Sequence, residues 1–185
     1  MAYDPKKYGP VFASLLALKD APTLAYGRQD IFRQSQIVGN TLEALFLHKH
    51  IMDFDMARSC HAGIMILNNF PDQAHQVLNR IKSPTGNYWQ GILFRRRLDK
   101  TSSENYFGKI ENHPIYDQML KVSRQLSAKV AGCYLQSHPI WDPVKFTDYC
   151  IEQNESGSEA ETLCRTLVLA EIRLLFDYSY EHAVE

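Results

Sequence analysis

Apolar residues recur every three or four positions along most of this chain. The clearest run begins after Pro114 and places apolar side chains at Ile115, Met119, Val122, Leu126, Val130 and Cys133. These spacings keep one face of an α-helix apolar over five turns. No stretch alternates apolar and polar residues between turn signals, as a half-buried strand would. The periodicity therefore predicts an all-α protein.

Other segments carry the signals of helix starts. Asp55 is placed to cap one helix, and Pro71 suits the first turn of the next. Ser158 and Glu161 have the spacing of a capping box at the start of the last helix. Residues 31–50 also show helical spacing and are predicted to form one continuous helix.

The connections between these helices are short. They fall near residues 83–86, 99–102, 138–143 and 153–158, and none has the length of an interdomain linker. A chain of 185 residues can bury a full hydrophobic core without disulfides or metals. We therefore expect a single all-helical domain over residues 1–185, an irregular bundle of antiparallel helical hairpins.

The formal net charge of −1 provides no global field that would attract nucleic acid or an anionic membrane. Charge is nevertheless uneven along the chain, because residues 152–185 hold eight acidic side chains against two arginines. This segment carries −6 and leaves +5 for the rest of the chain. We expect the acidic last helix to dock against the more basic body.

Four cysteines, Cys60, Cys133, Cys150 and Cys164, lie within apolar patterns and form no CxxC pair. They are predicted to be reduced core residues of a cytoplasmic protein. No apolar run is long enough to cross a bilayer, and Asp4 argues against a signal peptide near the N-terminus. No cofactor, metal, membrane or nucleic-acid partner is expected, and a homo-oligomer is compatible with the sequence.

One short stretch holds the densest group of distinctive residues. An aromatic pair, Tyr88 and Trp89, precedes three consecutive arginines, Arg95, Arg96 and Arg97. Three successive helical positions turn through about 200°, so these guanidinium groups cannot all face one ligand. We expect one or two to reach solvent or pair with the acidic last helix, and one to face inward. Because a guanidinium fork binds carboxylate or phosphate in bidentate fashion, an anionic small molecule is the functional alternative.

Three histidines are candidate site residues: His61, His75 and His113. Asp72 lies one turn before His75, where its carboxylate is placed to hold the imidazole and raise its pKa, which suits a general base. For each histidine the alternative is a boundary position satisfied by a backbone carbonyl or by water. The sequence leaves open whether the three rings converge on one pocket.

Residues 83–99 read SPTGNYWQGILFRRRLD. This segment, with the histidines at 61 and 75, resembles an uncharacterised family of bacterial all-helical proteins with an SPTGxYWxGIxxRR motif. The resemblance covers roughly residues 55–116 and implies an all-helical fold with a histidine-rich cleft.

The chain departs from that family pattern at three positions. The pattern has two histidines four residues apart followed by a glutamate, where this chain has Gln90, Phe94 and Arg97. Histidines at that spacing share a helix face and suit a metal, whereas an amide, a phenyl ring and a guanidinium do not. No metal site is therefore expected on this helix.

Two functional hypotheses follow. In the first, the chain is a small-ligand-binding or interaction domain with a cleft lined by an arginine and by Tyr88, Trp89, His61, His75 and His113. In the second, it is a hydrolase-like enzyme with His75 as the base and Asp72 as its orienting group. Arg95 or Arg96 would then hold an anionic substrate.

Overall fold

The chain is all-α in a computed structural model that describes residues 4–18, 20–47, 49–131 and 133–184. The described residues form ten α-helices: α1 (Pro10–Leu16), α2 (Gln34–Ile37), α3 (Leu42–Leu45), α4 (Phe54–Leu67), α5 (Pro71–Leu78), α6 (Pro84–Arg96), α7 (Lys100–Phe107), α8 (Tyr116–Ser127), α9 (Pro143–Gln153) and α10 (Glu159–Ala183). Short 3-10 helices cover Pro5–Tyr8 and Tyr134–Gln136. Within these ranges the one β-type pairing is an isolated bridge between Ile51 and Val184. The predicted all-α class is confirmed.

Side-chain caps begin several of the helices. Pro71 begins α5 as predicted, and at α10 the Ser158 hydroxyl accepts the Glu161 N–H at 3.0 Å, as its capping-box spacing predicts. The predicted cap of α4 was wrong by two residues. Asp53 is the cap, and its carboxylate accepts the N–H groups of Asp55 and Met56.

The continuous helix predicted for residues 31–50 is also wrong. The segment forms two single-turn helices, α2 and α3, separated by Gly39 and Asn40. Thr41 starts α3 anew, because its hydroxyl accepts the Ala44 N–H and competes with helix continuation. The helix predicted from Ile115 to Cys133 likewise ends early, at Ser127.

Helix α6 lies at the centre of the bundle and contacts α4, α5, α7, α9 and α10. Two close approaches depend on glycine. A Cβ atom at Gly91 would lie 2.5 Å from the Phe107 ring of α7, and one at Gly63 of α4 would lie 2.6 Å from the Trp89 ring. Glycine at these positions lets α6 pack tightly on α7 and α4, so α6 is buried on most of its circumference.

The four cysteines are buried, as predicted for core residues. The acidic last helix docks against the body of the protein, where it contacts α4, α6, α8 and α9. One of its carboxylates, that of Glu171, is completely buried. This carboxylate forms an ion pair with an arginine of α6.

Candidate functional site

Arg95 and Glu171 form a buried ion pair between α6 and α10. One guanidinium nitrogen, Nη1, donates to Glu171 Oε2, and Nη2 donates to Oε1 at 3.4 Å. Two further donors are also used, since Nε bonds the Thr147 hydroxyl at 3.0 Å and Nη2 bonds the Pro143 carbonyl at 3.3 Å. Burial alone would lower the pKa of Arg95, but the carboxylate of Glu171 raises it on balance. Arg95 is thus a structural cation with its donors committed to α9 and α10.

The aromatic pair belongs to the same buried assembly. Tyr88 donates its hydroxyl to Glu171 at 2.8 Å and accepts from the Trp141 indole at 3.0 Å. Burial raises the pKa of Tyr88, and the neighbouring carboxylate adds to this effect. Trp89 donates to the Ser179 hydroxyl at 3.3 Å. Both rings have 0% exposure, so Tyr88 and Trp89 are core residues and, in the described part of the chain, do not line the predicted cleft.

Arg96 and Arg97 point to different surroundings from Arg95. Arg96 is buried, donates to the backbone carbonyls of Ile66 and Thr23, and lies 4.4 Å from the Tyr26 ring centroid. Arg97 lies at the surface and pairs with Asp72 at 2.5 Å. The prediction that the three arginines cannot face one ligand is confirmed. The expected pairing with the acidic last helix is made by Arg95.

His113 lies in an aromatic cluster against α10. Its ring packs on Tyr88, Tyr116 and Tyr178 with centroid distances of 5.1, 6.3 and 5.0 Å. The Ile115 N–H donates to Nδ1 at 3.4 Å, so Nε2 carries the proton toward the Thr85 hydroxyl at 3.2 Å. Burial, assisted by the charge of His182, lowers the pKa of His113 to about 4. This histidine is a neutral core residue.

His75 is half-buried on α5, but its partner is not the expected one. Its Nδ1 lies 3.0 Å from the Gln90 amide oxygen, and Gln90 in turn donates to Asn79 at 3.1 Å. Asp72 instead pairs with Arg97. The predicted pairing of Asp72 with His75 is therefore not made, because the guanidinium competes for the carboxylate and a neutral amide takes its place.

His61 is 8% exposed on α4 and lines a pocket. Its Nε2 lies 2.7 Å from the Ile37 carbonyl oxygen, a contact that ties α4 to the end of α2. The three candidate histidines thus bond to three different elements. The pocket at His61 is lined by neither His75 nor His113, so the structure does not bring the three rings together there.

This pocket, called here the α4–α5 pocket, encloses about 400 Å³. It is bounded by α4, α5 and the segment that joins α2 to α3. Its lining residues are Val38, Asn40, Thr41, Leu42, Arg58, His61, Met65, Gln73, Gln76, Val77 and Arg80. The set combines apolar side chains, amides and two guanidinium groups around one buried imidazole, so the pocket offers both apolar contact surface and hydrogen-bonding groups.

Among these residues, only His61 was predicted from the sequence to be a site residue. A signal was present, because Arg58, His61 and Met65 fall one turn apart on α4. Gln73 and Arg80 likewise lie seven residues apart, which places them on one side of the following segment. Each face looks like an ordinary solvated surface by itself. The pocket forms only where the faces of α4 and of the following segment pack against each other. The periodicity of one helix does not predict which other helix face it will contact.

No helix in the described ranges is both long and apolar enough to span a bilayer. Among the same residues, no group of three or more His, Cys, Asp or Glu side chains is arranged to hold a metal ion. Comparison of the chain with protein-family models, curated proteins and solved structures gave no match. The family resemblance of residues 83–99 therefore stays a prediction, and functional assignment depends on the α4–α5 pocket.

Proposed function

We propose that this protein is a small-ligand-binding domain and that its ligand is an anionic molecule held in the α4–α5 pocket. The observation that carries the proposal is the presence of Arg58 and Arg80 in the lining of one pocket with the buried His61. This site replaces the cleft expected along α6. It retains the anionic ligand that was the functional alternative for the arginines of α6 but assigns it to different arginines.

Arg80 is the main candidate for the anion contact. Within the described part of the chain, no carboxylate lies within 4.0 Å of its guanidinium group. Arg58 is partly engaged, because Asp55 pairs with it at 2.9 Å across one helical turn. A guanidinium that retains free donors binds carboxylate or phosphate through charge-assisted hydrogen bonds.

The remaining lining favours a ligand with a carbon body rather than a bare ion. Val38, Leu42, Met65 and Val77 contribute apolar surface to the pocket. A volume of about 400 Å³ lies within the range of roughly 300–1,000 Å³ that is usual for sites of small organic ligands. Contact with these side chains removes apolar ligand surface from water and so adds to the affinity.

The hydrolase alternative gains no support from the geometry at His75. Its Nδ1 bonds a neutral amide at 3.0 Å, and an amide stabilises an imidazolium less than a carboxylate does. The carboxylate of Asp72 is paired with Arg97, and Arg95 is committed to Glu171. The residues assigned to base, orienting group and substrate contact therefore do not form one site, and we propose binding rather than catalysis.

Isothermal titration calorimetry with two phosphate esters of equal charge, propyl phosphate and glycerol 3-phosphate, tests the proposal. We expect saturable binding of at least one ester by the native protein. Arg80→Gln should weaken it about tenfold or more, since a hydrogen bond to a charged group contributes roughly 1.5–3 kcal/mol. Arg28→Gln is the matched control, because it removes the same charge from an exposed arginine outside the pocket.

Two outcomes contradict the proposal. One is the absence of saturable binding in the native protein for both esters and also for glycerate and propionate, the carboxylates with the same number of carbon atoms. The other is an equal loss of affinity in Arg80→Gln and Arg28→Gln, which would reduce the interaction to general charge attraction.

A further inference from the structure

Two residues that line the α4–α5 pocket carry hydrogen-bond acceptors without donors among the described residues. The first is Nδ1 of His61. Because Nε2 lies 2.7 Å from the Ile37 carbonyl oxygen, which only accepts, Nε2 carries the proton and Nδ1 keeps a free lone pair. Burial lowers the pKa of His61, against a smaller opposing effect of the Ile37 carbonyl. The ring therefore stays neutral near pH 7 and Nδ1 remains an acceptor.

The second acceptor is the amide oxygen of Gln73. This residue lines the same pocket from α5, and its Oε1 is buried without a hydrogen-bond partner in the described part of the chain. A buried polar atom of this kind costs free energy until a donor reaches it. The terminal torsion of a glutamine side chain is soft, so the amide can turn its oxygen toward a bound molecule at little cost.

We infer that the ligand of the α4–α5 pocket is a hydroxylated anion, that is, a polyol phosphate ester or a hydroxy acid. The inference rests on the proposed function and adds the chemical class of the ligand. The two guanidinium groups bind the phosphate or carboxylate, and the ligand hydroxyl groups donate to His61 Nδ1 and Gln73 Oε1. The apolar side chains contact the carbon atoms between them.

The same two acceptors provide selectivity against anions whose carbon atoms carry no hydroxyl groups. A ligand without hydroxyl groups would displace water from His61 Nδ1 without replacing its hydrogen bond, and it would offer no donor to the buried Gln73 oxygen. Sites that bond a ligand hydroxyl reject the analogue that lacks it for this reason. Each neutral hydrogen bond contributes about 0.5–1.5 kcal/mol, so two of them correspond to a preference of about tenfold or more.

Calorimetry on matched pairs tests this preference and distinguishes the two anionic groups. Glycerol 3-phosphate is compared with propyl phosphate, and glycerate with propionate, so that each pair differs only by its hydroxyl groups. We expect the hydroxylated member of at least one pair to bind the native protein about tenfold more tightly. The pair that shows the larger affinity identifies phosphate or carboxylate as the anion.

Gln73→Leu assigns the preference to the pocket. This variant should reduce the affinity ratio within the pair to about threefold or less. Gln125→Leu is the control, because Gln125 is exposed on α8 and outside the pocket. Circular dichroism verifies that both variants are folded, and the ratio in the native protein is informative even if one variant does not fold.

The outcomes separate this inference from the proposed function. Equal or tighter binding of the members without hydroxyl groups overturns the inference and leaves the anionic pocket in place. A tenfold preference that persists in Gln73→Leu also overturns it. If no member of either pair binds, the proposed function itself fails.

Discussion

Replacing Glu171 by glutamine should destabilise the protein far more than breaking the exposed ion pair between Arg97 and Asp72. Glu171 has 0% exposure and Arg95 has 2%, so Glu171→Gln leaves a buried guanidinium without its counter-charge. Removing one partner of a buried pair costs about 3–5 kcal/mol. For a domain of this size that loss corresponds to a decrease of roughly 10 °C in Tm.

The matched control is the Arg97–Asp72 pair. Asp72 has 75% side-chain exposure, and exposed pairs contribute about 0.2–1 kcal/mol because water and salt screen them. Arg97→Met should therefore lower the free energy of unfolding by less than about 1 kcal/mol. Arg95 lies in the last turn of α6 and Arg97 directly follows the helix, and each faces a carboxylate, so the two pairs differ mainly in burial.

Urea unfolding followed by circular dichroism measures these free energies. The double variant Arg95→Met/Glu171→Gln should recover much of the loss, because it removes both buried charges while the glutamine oxygen can still accept from Tyr88. The double-mutant cycle should give a coupling energy of about 3 kcal/mol. A cost below about 1 kcal/mol for Glu171→Gln, or a coupling energy near zero, would refute the assignment of Arg95 as a buried structural cation.

Two further predictions concern the core. Gly91→Ala should lower the free energy of unfolding in urea by about 1–3 kcal/mol, because the new Cβ would lie 2.5 Å from the Phe107 ring. The control Gly27→Ala should be near neutral, because its Cβ would make an ordinary 3.5 Å contact. Equal effects of the two substitutions would contradict the tight packing of α6 on α7. His113 titrates near 4 when folded and near 6.5 when unfolded. Between these two pH values only the unfolded chain binds a proton at position 113, so acidification favours unfolding. From pH 7 to pH 4.5 the free energy of unfolding should therefore fall by about 2 kcal/mol more in the native protein than in His113→Asn. Equal pH dependence of the two proteins would contradict the burial of His113.

Much of the fold could be predicted because the signals are local. The capping box at Ser158 and the proline at the start of α5 specify helix starts through the backbone of a few neighbouring residues. The error at residues 31–50 has the same origin. Apolar spacing continues across Gly39 and Asn40, but a glycine costs about 1 kcal/mol in a helix and Thr41 offers a competing cap.

The candidate site was harder to predict because it depends on which helix faces meet. The arginine-rich segment is distinctive in the sequence, yet its residues stabilise the fold, since Arg95 neutralises a carboxylate 76 residues away along the chain. Arg58 and Arg80 carry no comparable signal, because single arginines in a sequence mostly lie at the solvent-exposed surface. Helical spacing did show that Arg95, Arg96 and Arg97 diverge, since that conclusion needs only the 100° turn per residue.

A two-dimensional NMR titration of the native protein with glycerol 3-phosphate and glycerate would test most directly whether the ligand binds between α4 and α5. We expect saturable shifts of the backbone amides of Thr41, His61, Gln73 and Arg80, with the amides of Arg95 and Glu171 unmoved. Shifts concentrated along α6, or the absence of any saturable shift, would contradict the placement of the functional site in the α4–α5 pocket.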